Sequence, residues 1–598
     1  MNSCRDRQSG IALVAVLFFI ILLISLLGAY AALTQMELAS TRYSKDGVTG
    51  FYAAEAGLNL RASDIRNIFV GYNRPSGSSP VTNKPCLGGD NGSGDFVCQS
   101  RSFGSHSVVS YVEEDPANPI ITTIPPGERY QNLNAQEYRY TVRSIARGVE
   151  NQVEAILELR FKSRLVPLFQ FVAFYDKDLE ILPGPTMNLS GPIHTNGDLY
   201  MDTNAALNIA GQVTTAGDLY RGRKNNSTCQ SNPVTIPDPA NPLAVLPSCS
   251  SRTLIADSNP WNGMLQTGVQ AVTVPAPDLL DASASSIYFS SADLRLVLEL
   301  NAANQPDFGN SVTGVVVRDS SGNLDSAQTN SLHTCTGSIS GRVANFESSM
   351  YSNREANFIE LLDIDMQALL NCLHTTNWLG TGKLLDDTSD GGIVFHFSVD
   401  GPHNLVLPNT YGVRVRNATE LQSNISGAPL VQGMTAVSDV AFYTHGHYNS
   451  TNKIPAAILA DAFNVLSSNW NDTNSQNWSA RGAVNTTIHA AVLAGTDVTG
   501  GAEGSGGQNL GMYNGGLENY PRFHENWSGR TLTYLGSFVS LGTPNHSDGA
   551  WSYGNPQYTA PNRNWDYDTD FNDADNLPPL TPRFVYLRQE LFVRDFEQ

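Results

Sequence analysis

The longest apolar pattern in the chain lies near its N-terminal end. Residues 11 to 36 carry no charged side chain, and residues 11 to 33 are almost entirely Leu, Ile, Val, Ala and Phe. At about 1.5 Å per residue, this run is longer than the ~30 Å hydrocarbon core of a bilayer. The pattern predicts a single transmembrane helix. Arg5 and Arg7 precede it and favour a cytoplasmic N-terminus.

The helical pattern continues beyond the apolar run. Apolar residues recur there at helical spacing, namely Leu38, Phe51, Leu58, Ile65 and Phe69, with charged residues between them. We therefore predict one helix over residues 11–69, loosened in the middle by Gly47 and Gly50. The alternative is a secretory signal peptide cut near Ala29-Tyr30-Ala31, which would remove the apolar run.

Alternating apolar and polar residues mark the next ordered region. Glu137 to Arg147 and Asn151 to Phe161 alternate across a short polar connection, which predicts a β-hairpin. Residues 70–130 are rich in Gly, Ser, Asn and Pro and are predicted to be irregular. Together, residues 70–165 would form a small β-rich head packed on the helix.

An internal repeat predicts the architecture of the following region. MNLSGPIHTNGDLY (187–200) recurs twenty residues later as LNIAGQVTTAGDLY (207–220), with seven of fourteen positions identical. Such a period suggests stacked rungs, with Leu189 above Ile209, Ile193 above Val213, and the two Gly-Asp turns above each other. Two rungs are fewer than the three expected for a stable stack.

More degenerate patterns extend this region to about residue 560. Strands are predicted at 413–415, 434–448, 488–495 and 530–541, and helices at 354–373 and 455–466. We predict a mostly β, α+β chain: a long pilin-type helix (11–69), the head (70–165) and a β-helix-like domain (166–560). Insertions would lie at about 225–300 and 300–385, and a C-terminal acidic loop and strand at 561–598.

The cysteines and the charge limit the compartment and the partners. Six of the seven cysteines follow the apolar run, and pairing of sequence neighbours is the simplest of the 15 connectivities, namely Cys86/Cys98, Cys229/Cys249 and Cys335/Cys372. The net charge of −20 argues against a nucleic-acid partner, because phosphate binding requires a clustered positive field.

The N-terminal residues resemble a known family. SGIALVAVLFFIILLISLLGAYAAL and the downstream FYAAEAGLNLR are similar to the PilX N-terminal family of pilin-like proteins. The segment FVAFYDKDLEILPGPTMNLSGPIHTNGDLY similarly resembles an envelope module found behind such N-termini. The first resemblance implies a leader of residues 1–10, cleavage after Gly10 by prepilin peptidase, and Ile11 as the mature N-terminus.

One position departs from that family pattern. Major pilins carry Glu at the fifth mature position, where it neutralises the N-terminal amine of a neighbouring subunit, and this chain has Ala15. The departure favours a tip or accessory subunit over the repeating shaft, and it also leaves open an uncut, membrane-anchored ectodomain.

An acidic run is the main candidate for metal chemistry. Asp566, Asp568, Asp570 and Asp573 offer carboxylates at nearly alternate positions, which suits weak extracellular Ca²⁺ binding. However, Phe571 and Leu577 occupy the positions where an EF-hand needs Gly and Glu. A solvated acidic loop is therefore the alternative, and no other cofactor is expected.

The remaining candidates have simple structural alternatives. His445-Gly446-His447 offers two imidazoles as a metal candidate, and the Gly-rich 500–507 lacks the Lys of a phosphate-binding loop. Asp198 and Asp218 on adjacent rungs could form a carboxylate pair or cap turn amides. Several aromatic residues could stack on sugars or be buried, namely Tyr200, Tyr220, Trp527, Trp551 and Trp565.

These features predict a PilX-like minor pilin or pilus-associated protein rather than an enzyme, because no catalytic motif is present. Its partners would be other pilins, pilus assembly proteins, the inner membrane and a surface glycan or cell-surface ligand. It would lie in the bacterial inner membrane, as a single-pass protein, and on the pilus or cell surface. The alternative is a membrane-anchored ectodomain that binds or cleaves polysaccharide, and a secretion pseudopilin differs from the first hypothesis only in its partners.

Overall fold

A computed structural model of the chain describes residues 9–69, 75–81, 85–87, 89–238, 240–241, 244–379, 383–500 and 513–595. A long N-terminal helix is followed by a large β-rich domain with few helices. Residues 1–8 of the predicted leader and residues 501–507 of the Gly-rich segment lie outside the described residues.

The first element is the helix α1 (Ser9–Phe69), which confirms the prediction of one continuous helix. Gly47 and Gly50 lie within it without ending it. Five of its residues, Ala53, Ala54, Leu58, Ala62 and Ile65, are buried with the apolar residues of an antiparallel sheet. Their spacing of three or four residues gives the helix one apolar face, which explains why this part docks.

The described residues between α1 and the large domain form the head strands β1 (Gly77–Ser78), β2 (Ser93–Gly94), β3 (Gln99–Phe103), β4 (His106–Glu114), β5 (Ile120–Thr123), β6 (Asn134–Arg147) and β7 (Val153–Pro167). β6 and β7 form the predicted hairpin. The prediction of an irregular 70–130 is wrong for β3, β4 and β5, whose many polar residues hide the alternation. In β4, Val108 and Val112 face α1 from an otherwise mixed strand.

The 20-residue repeat forms stacked strands at the start of the large domain. These are β8 (Ala173–Tyr175), β9 (Leu179–Ile181), β10 (Met187–Leu189), β11 (Ile193–Thr195), β12 (Leu199–Met201), β13 (Leu207–Ile209), β14 (Val213–Thr215), β15 (Leu219–Arg221), β16 (Val234–Thr235), β17 (Thr253–Leu254) and β18 (Leu265–Gln266). Leu189 pairs with Ile209 and Ile193 with Val213 in parallel register, as predicted. β8 and β9 add a preceding layer that the sequence repeat does not reveal.

The middle of the domain contains the remaining helices, α2 (Ile287–Ser291), α3 (Ser326–Thr334) and α4 (Met366–Thr376). Its strands are β19 (Leu294–Glu299), β20 (Val315–Val317), β21 (Ala344–Glu347), β22 (Tyr351–Ser352), β23 (Asn357–Phe358), β24 (Glu360–Asp365), β25 (Ile393–Asp400), β26 (Tyr411–Ala418), β27 (Met434–Ser438), β28 (Ala441–Tyr448), β29 (Ala456–Ala460), β30 (Phe463–Leu466), β31 (Thr486–Ala494), β32 (Arg522–Phe523), β33 (Thr531–Ser540) and β34 (Asn562–Tyr567).

Both predicted inserted helices need correction. Residues 354–365 contain β23 and β24, and the helix begins only at Met366, where the Asp365 side chain accepts a hydrogen bond from Ala368 N. Residues 455–466 form β29 and β30 instead of a helix. Both strands are buried on both faces, and a continuous apolar run fits a buried parallel strand as well as a helix.

Most neighbouring strands of this region pair in parallel, for example β25 with β27 and β27 with β29. Antiparallel strands join the same sheets, because β20 pairs with β19, β21 with β24 and β17 with β15. The sheets are therefore mixed, and a parallel β-helix over the whole domain is not established.

The last strand, β35 (Arg583–Asp595), leaves the large domain and returns to the head. It pairs antiparallel with β7 from Arg583↔Pro167 to Asp595↔Ile156, which gives the sheet order β3-β4-β6-β7-β35. The predicted C-terminal segment is thus divided, since β34 pairs with β33 of the large domain. The chain therefore enters the large domain from head strand β7 and returns from it to head strand β35.

Three disulfides join the predicted neighbours, Cys86 to Cys98, Cys229 to Cys249 and Cys335 to Cys372. The first lies in the head, and the second lies in the predicted insertion at about 225–300. The third joins Cys335, which directly follows α3, to Cys372 of α4. Each closes a local loop, with sequence separations of 12, 20 and 37 residues, and the third loop contains β21 to β24.

Candidate functional site: the two halves of the N-terminal helix

The first half of α1, from Ile11 to Leu38, has its apolar side chains exposed on every side. All large apolar side chains from Ile11 to Leu38 are at least 49% exposed, and the most apolar window of the helix has no share buried inside the chain. A helix that is apolar all round requires lipid or other helices around it. By length and composition α1 can cross a membrane.

Two hydroxyl groups within this half are satisfied locally. Ser25 Oγ donates to Ile21 O at 2.8 Å, and Thr34 Oγ1 donates to Tyr30 O at 2.9 Å. Since helical backbone groups bond within the segment, the helix leaves few unpaired polar groups for an apolar environment. The first charged residue after Ser9 is Glu37, roughly 39 Å along the helix from Ile11.

The second half of α1 docks closely against the head, through residues between Gly50 and Ile65. Gly57 lies where an added Cβ would come within 2.6 Å of Val108 Cγ1 and 3.0 Å of Ser144 Oγ, so only Gly permits this approach. Gly50 lies in the same way against Glu154, where an added Cβ would be 2.6 Å from Glu154 Cβ. The glycine predicted to loosen the helix thus allows it to reach the sheet.

Arg61 secures the docked half to the loop that carries the first disulfide. It is buried, and its Nη2 donates to Asp95 O at 2.6 Å and to Val97 O at 2.8 Å. Burial lowers the pKa of Arg61, and the nearby Asp64 and Asp95 oppose this shift. Sequence periodicity placed Arg61 between apolar positions without showing this role.

The residues predicted to flank the cleavage site, Gly10 and Ile11, lie in the first turn of α1. Gly10 and Ile11 are helical, Ile11 is 74% exposed, and Ala15 is exposed. Residues 11–36 contain no carboxylate that could neutralise an N-terminal amine. If cleavage creates an amine at Ile11, its counter-charge must come from another molecule.

The four carboxylates of the acidic run have partners within the chain, one lysine and several neutral donors. Lys453 Nζ lies 2.7 Å from Asp568 Oδ2 and 2.8 Å from Asp570 Oδ2, in the place that a bound cation would take. Asp566 accepts hydrogen bonds from Ser190 N and Oγ, and the Asp573 side chain accepts from Asp575 N. In the described part of the chain, no group of three or more His, Cys, Asp or Glu residues is arranged to hold a metal ion.

Asp198 of the repeat and Asp178, twenty residues before it, cap backbone amides. Asp178 Oδ1 accepts from Asp198 N, and Asp198 Oδ1 accepts from Asp218 N, each at 2.9 Å. Their second oxygens accept from tyrosines, Tyr200 OH to Asp198 and Tyr220 OH to Asp218, each at 3.3 Å. This ladder holds successive turns together, which is the structural alternative to a catalytic pair.

The other candidates also have structural partners. Burial lowers the pKa of His445 to about 4, and His447 Nδ1 accepts a hydrogen bond from Thr487 N. The rings of Tyr200 and Tyr220 stack on each other with centroids 5.0 Å apart. Trp527 and Trp565 are buried, and Trp551 Nε1 donates to Tyr558 OH.

Sequence reasoning missed a pair of buried carboxyl groups, Glu180 and Glu518. Burial raises the pKa of Glu518 to about 7 and also raises that of Glu180. The cavity beside Glu180 has a volume of about 20 Å³, enough for about one water molecule and too small for a sugar ring. The two residues are more than 300 positions apart, so no local motif could have identified them.

Comparison with known proteins adds little to this geometry. No protein-family model and no curated protein sequence matches the chain, so the resemblance to the PilX N-terminal family is not confirmed. Among solved structures, the chain is similar to the competence-associated pilin ComZ from Thermus thermophilus, with 12% identity, a TM-score of 0.26, and coverage of 92% of this chain and 98% of that one. A score this low does not establish a shared fold.

Proposed function

We propose that the chain is a pilin-like membrane subunit, a minor pilin or pilus-associated protein of the PilX type. Its helix α1 would hold it in the inner membrane and pack with other pilins in a filament. The observation that carries this proposal is the division of α1, whose second half docks on its own sheet while its first half exposes apolar side chains on all sides.

The exposed half can lie in the bilayer or in a filament core, because both environments accept a helix with an apolar surface. Each surrounds an apolar helix whose backbone is already hydrogen-bonded. Moving from the bilayer to a filament core would exchange acyl chains for other apolar helices. Other pilins and pilus assembly proteins would therefore be the partners of this half.

The head and the large domain would remain outside the membrane. Three disulfides are consistent with an oxidising compartment. A large domain of 395 residues, at the predicted bounds 166–560, is bulky for a repeating shaft subunit, and Ala15 supplies no charge for a neighbouring amine, so a position at or near the tip is favoured. There, stacked parallel strands with β-helix character would display the surface that meets a cell or a surface glycan.

The experiment separates membranes, sheared pili and soluble protein from cells that produce the full chain. We expect the protein in the membrane and pilus fractions, with a mature N-terminus at Ile11 by N-terminal sequencing. Replacing Leu23 and Leu27 by Arg should remove it from both fractions, since each charge costs about 2.5–3.5 kcal/mol or more at the centre of a bilayer. Leu38→Arg, beyond the predicted span, is the matched control and should leave it in place.

Two outcomes would refute the proposal in different ways. A soluble exported protein that begins near Leu33 would show that the apolar run is a signal peptide. A protein found in the membrane but absent from pili would leave an anchored ectodomain, which is the alternative hypothesis.

A further inference from the structure

Two adjoining loops of the large domain expose an unusual group of apolar side chains. One loop follows β19 and carries Phe308 and Val312, and the other follows β25 and carries Leu405, Val406 and Leu407. These five side chains, named here the apolar tip, are between 51% and 97% exposed. Single exposed apolar residues are ordinary, but a group of large ones marks an interaction surface.

The two loops begin side by side. β19 and β25 are parallel neighbours, and their last residues Glu299 and Asp400 are paired. Tyr411, the first residue after the second loop, donates from its OH to Asn304 Oδ1 of the first loop at 3.0 Å and accepts from His403 N at 3.0 Å. The structure therefore holds the two loops together as one feature.

Each loop is also ordered internally. In the first, Asp307 N donates to Glu299 O, and the Asp307 side chain accepts from Gly309 N, each at 2.8 Å. In the second, Asn404 Nδ2 donates to Asp400 Oδ1 at 2.8 Å, and Asn409 N donates to His546 O at 3.0 Å. The backbone that carries the apolar side chains is thus held by hydrogen bonds, which lowers the entropy cost of binding.

Acidic groups border the apolar tip. Glu299, Asp307 and Asp400 supply three carboxylates, and Asn310 Nδ2 contacts Glu299 Oε2 at 2.9 Å, which brings the first loop to this charge. Arg318 pairs with Glu299 and Asp400 at 3.0 and 2.7 Å. One guanidinium against three carboxylates leaves the border net negative.

We infer that the apolar tip is a docking surface for another protein, one with an apolar pocket bordered by Lys or Arg. A bilayer with anionic headgroups would be repelled by the carboxylates. A second copy in a symmetric contact would bring one acidic border against the other. A basic-bordered partner alone satisfies both the apolar centre and the negative border. The inference goes beyond the proposed function, because this surface exists whether or not α1 enters a filament.

The test uses the full chain in its producing cell, with a photo-crosslinking amino acid in place of Leu405. The matched control carries it in place of Leu254, an exposed leucine on β17. We expect a discrete heterologous product from position 405 and none from position 254. Mass spectrometry of the product should find the crosslinked peptide of the partner beside Lys or Arg residues.

Two further variants connect the product to this surface. Phe308→Asp should reduce the yield about tenfold by charging the apolar centre, and Asp307→Lys should also reduce it by reversing part of the border. Both residues lie in an exposed loop, and an unchanged near-ultraviolet circular dichroism spectrum will verify folding. A product insensitive to both variants, a homodimer, a phospholipid adduct, or no product above the control would each overturn the inference. None of these outcomes depends on whether the protein is found in pili.

Discussion

The two halves of α1 lie in different surroundings, although one continuous helix carries both. In the docked half, the residues that meet the sheet are mostly small, Ala53, Ala54 and Gly57 among them, and the backbone lies close to β4. In the exposed half, Leu, Ile and Phe surround the helix, and an added Cβ at Gly28 would meet nothing within 4 Å. The helix face that packs within the chain is therefore narrow and formed mostly by small residues, whereas the half that does not pack within the chain is apolar on every side.

The strongest test of this comparison truncates one leucine in each half. Leu58→Ala should lower the free energy of opening of the head by about 2–5 kcal/mol, because Leu58 is buried and its loss leaves a cavity. Leu23→Ala, in the exposed half, should change it by less than about 0.5 kcal/mol. Native-state hydrogen exchange of residues 51–68 in detergent measures both. Equal effects would show that the exposed half also packs within its own chain.

A pair of arginines tests the polar contacts of the docked half. Arg61→Met should cost about 1.5–3 kcal/mol, since two backbone carbonyls lose a charged donor. Arg42→Met removes an exposed cation and should be nearly neutral. Hydrogen exchange of the backbone amides of Asp95 and Val97, whose carbonyls accept from Arg61, measures the effect. A neutral Arg61→Met would mean that the disulfide loop holds its place without the helix.

A pair of glycines tests the close approach itself. Gly57→Val should destabilise the head by about 1–2 kcal/mol through overpacking against Val108. Gly28→Val should leave the head unaffected. The midpoint of denaturant unfolding, followed by tyrosine fluorescence, compares the two. If Gly57→Val is tolerated, α1 can shift away from the sheet at little cost.

The smallest effect locates the boundary between the halves. The rings of Phe51 and Phe592 lie edge to face with centroids 6.2 Å apart, an arrangement worth about 0.5–1.5 kcal/mol. Phe592→Ala should therefore increase exchange of the amides around Gly50 by a few-fold, while Phe19→Ala should not. No change in Phe592→Ala would place the start of the docked half beyond Phe51.

Several elements could be predicted because their causes are local. The apolar run and its amphipathic continuation specify α1, alternation specifies the β6–β7 hairpin, and twenty-residue recurrence specifies the stacking of Ile193 on Val213. The failures have a common physical origin. The run at 455–466 suits a helix or a strand buried on both faces, and only the neighbouring strands β27 and β31 select the strand.

The candidate site shows the same division. The exposed half of α1 could be recognised from composition, since an uncharged run of this length has few uses. The partners of the acidic run could not be predicted from the sequence. Lys453 lies 115 residues before Asp568, and Ser190 lies 376 residues before Asp566. A carboxylate run alone does not reveal whether its counter-charge is a metal ion or a distant lysine.

Hydrophobic periodicity acts between residues close along the chain, so the sequence alone was sufficient to predict the long N-terminal helix, the hairpin and the repeating rungs. Three further features depend on the tertiary structure: β35 completes the head sheet beside β7, Gly57 allows the helix to approach β4, and Tyr411 joins the loop after β25 to the loop after β19. These contacts join residues far apart in the sequence, and their energies arise only once folding has brought the surfaces together.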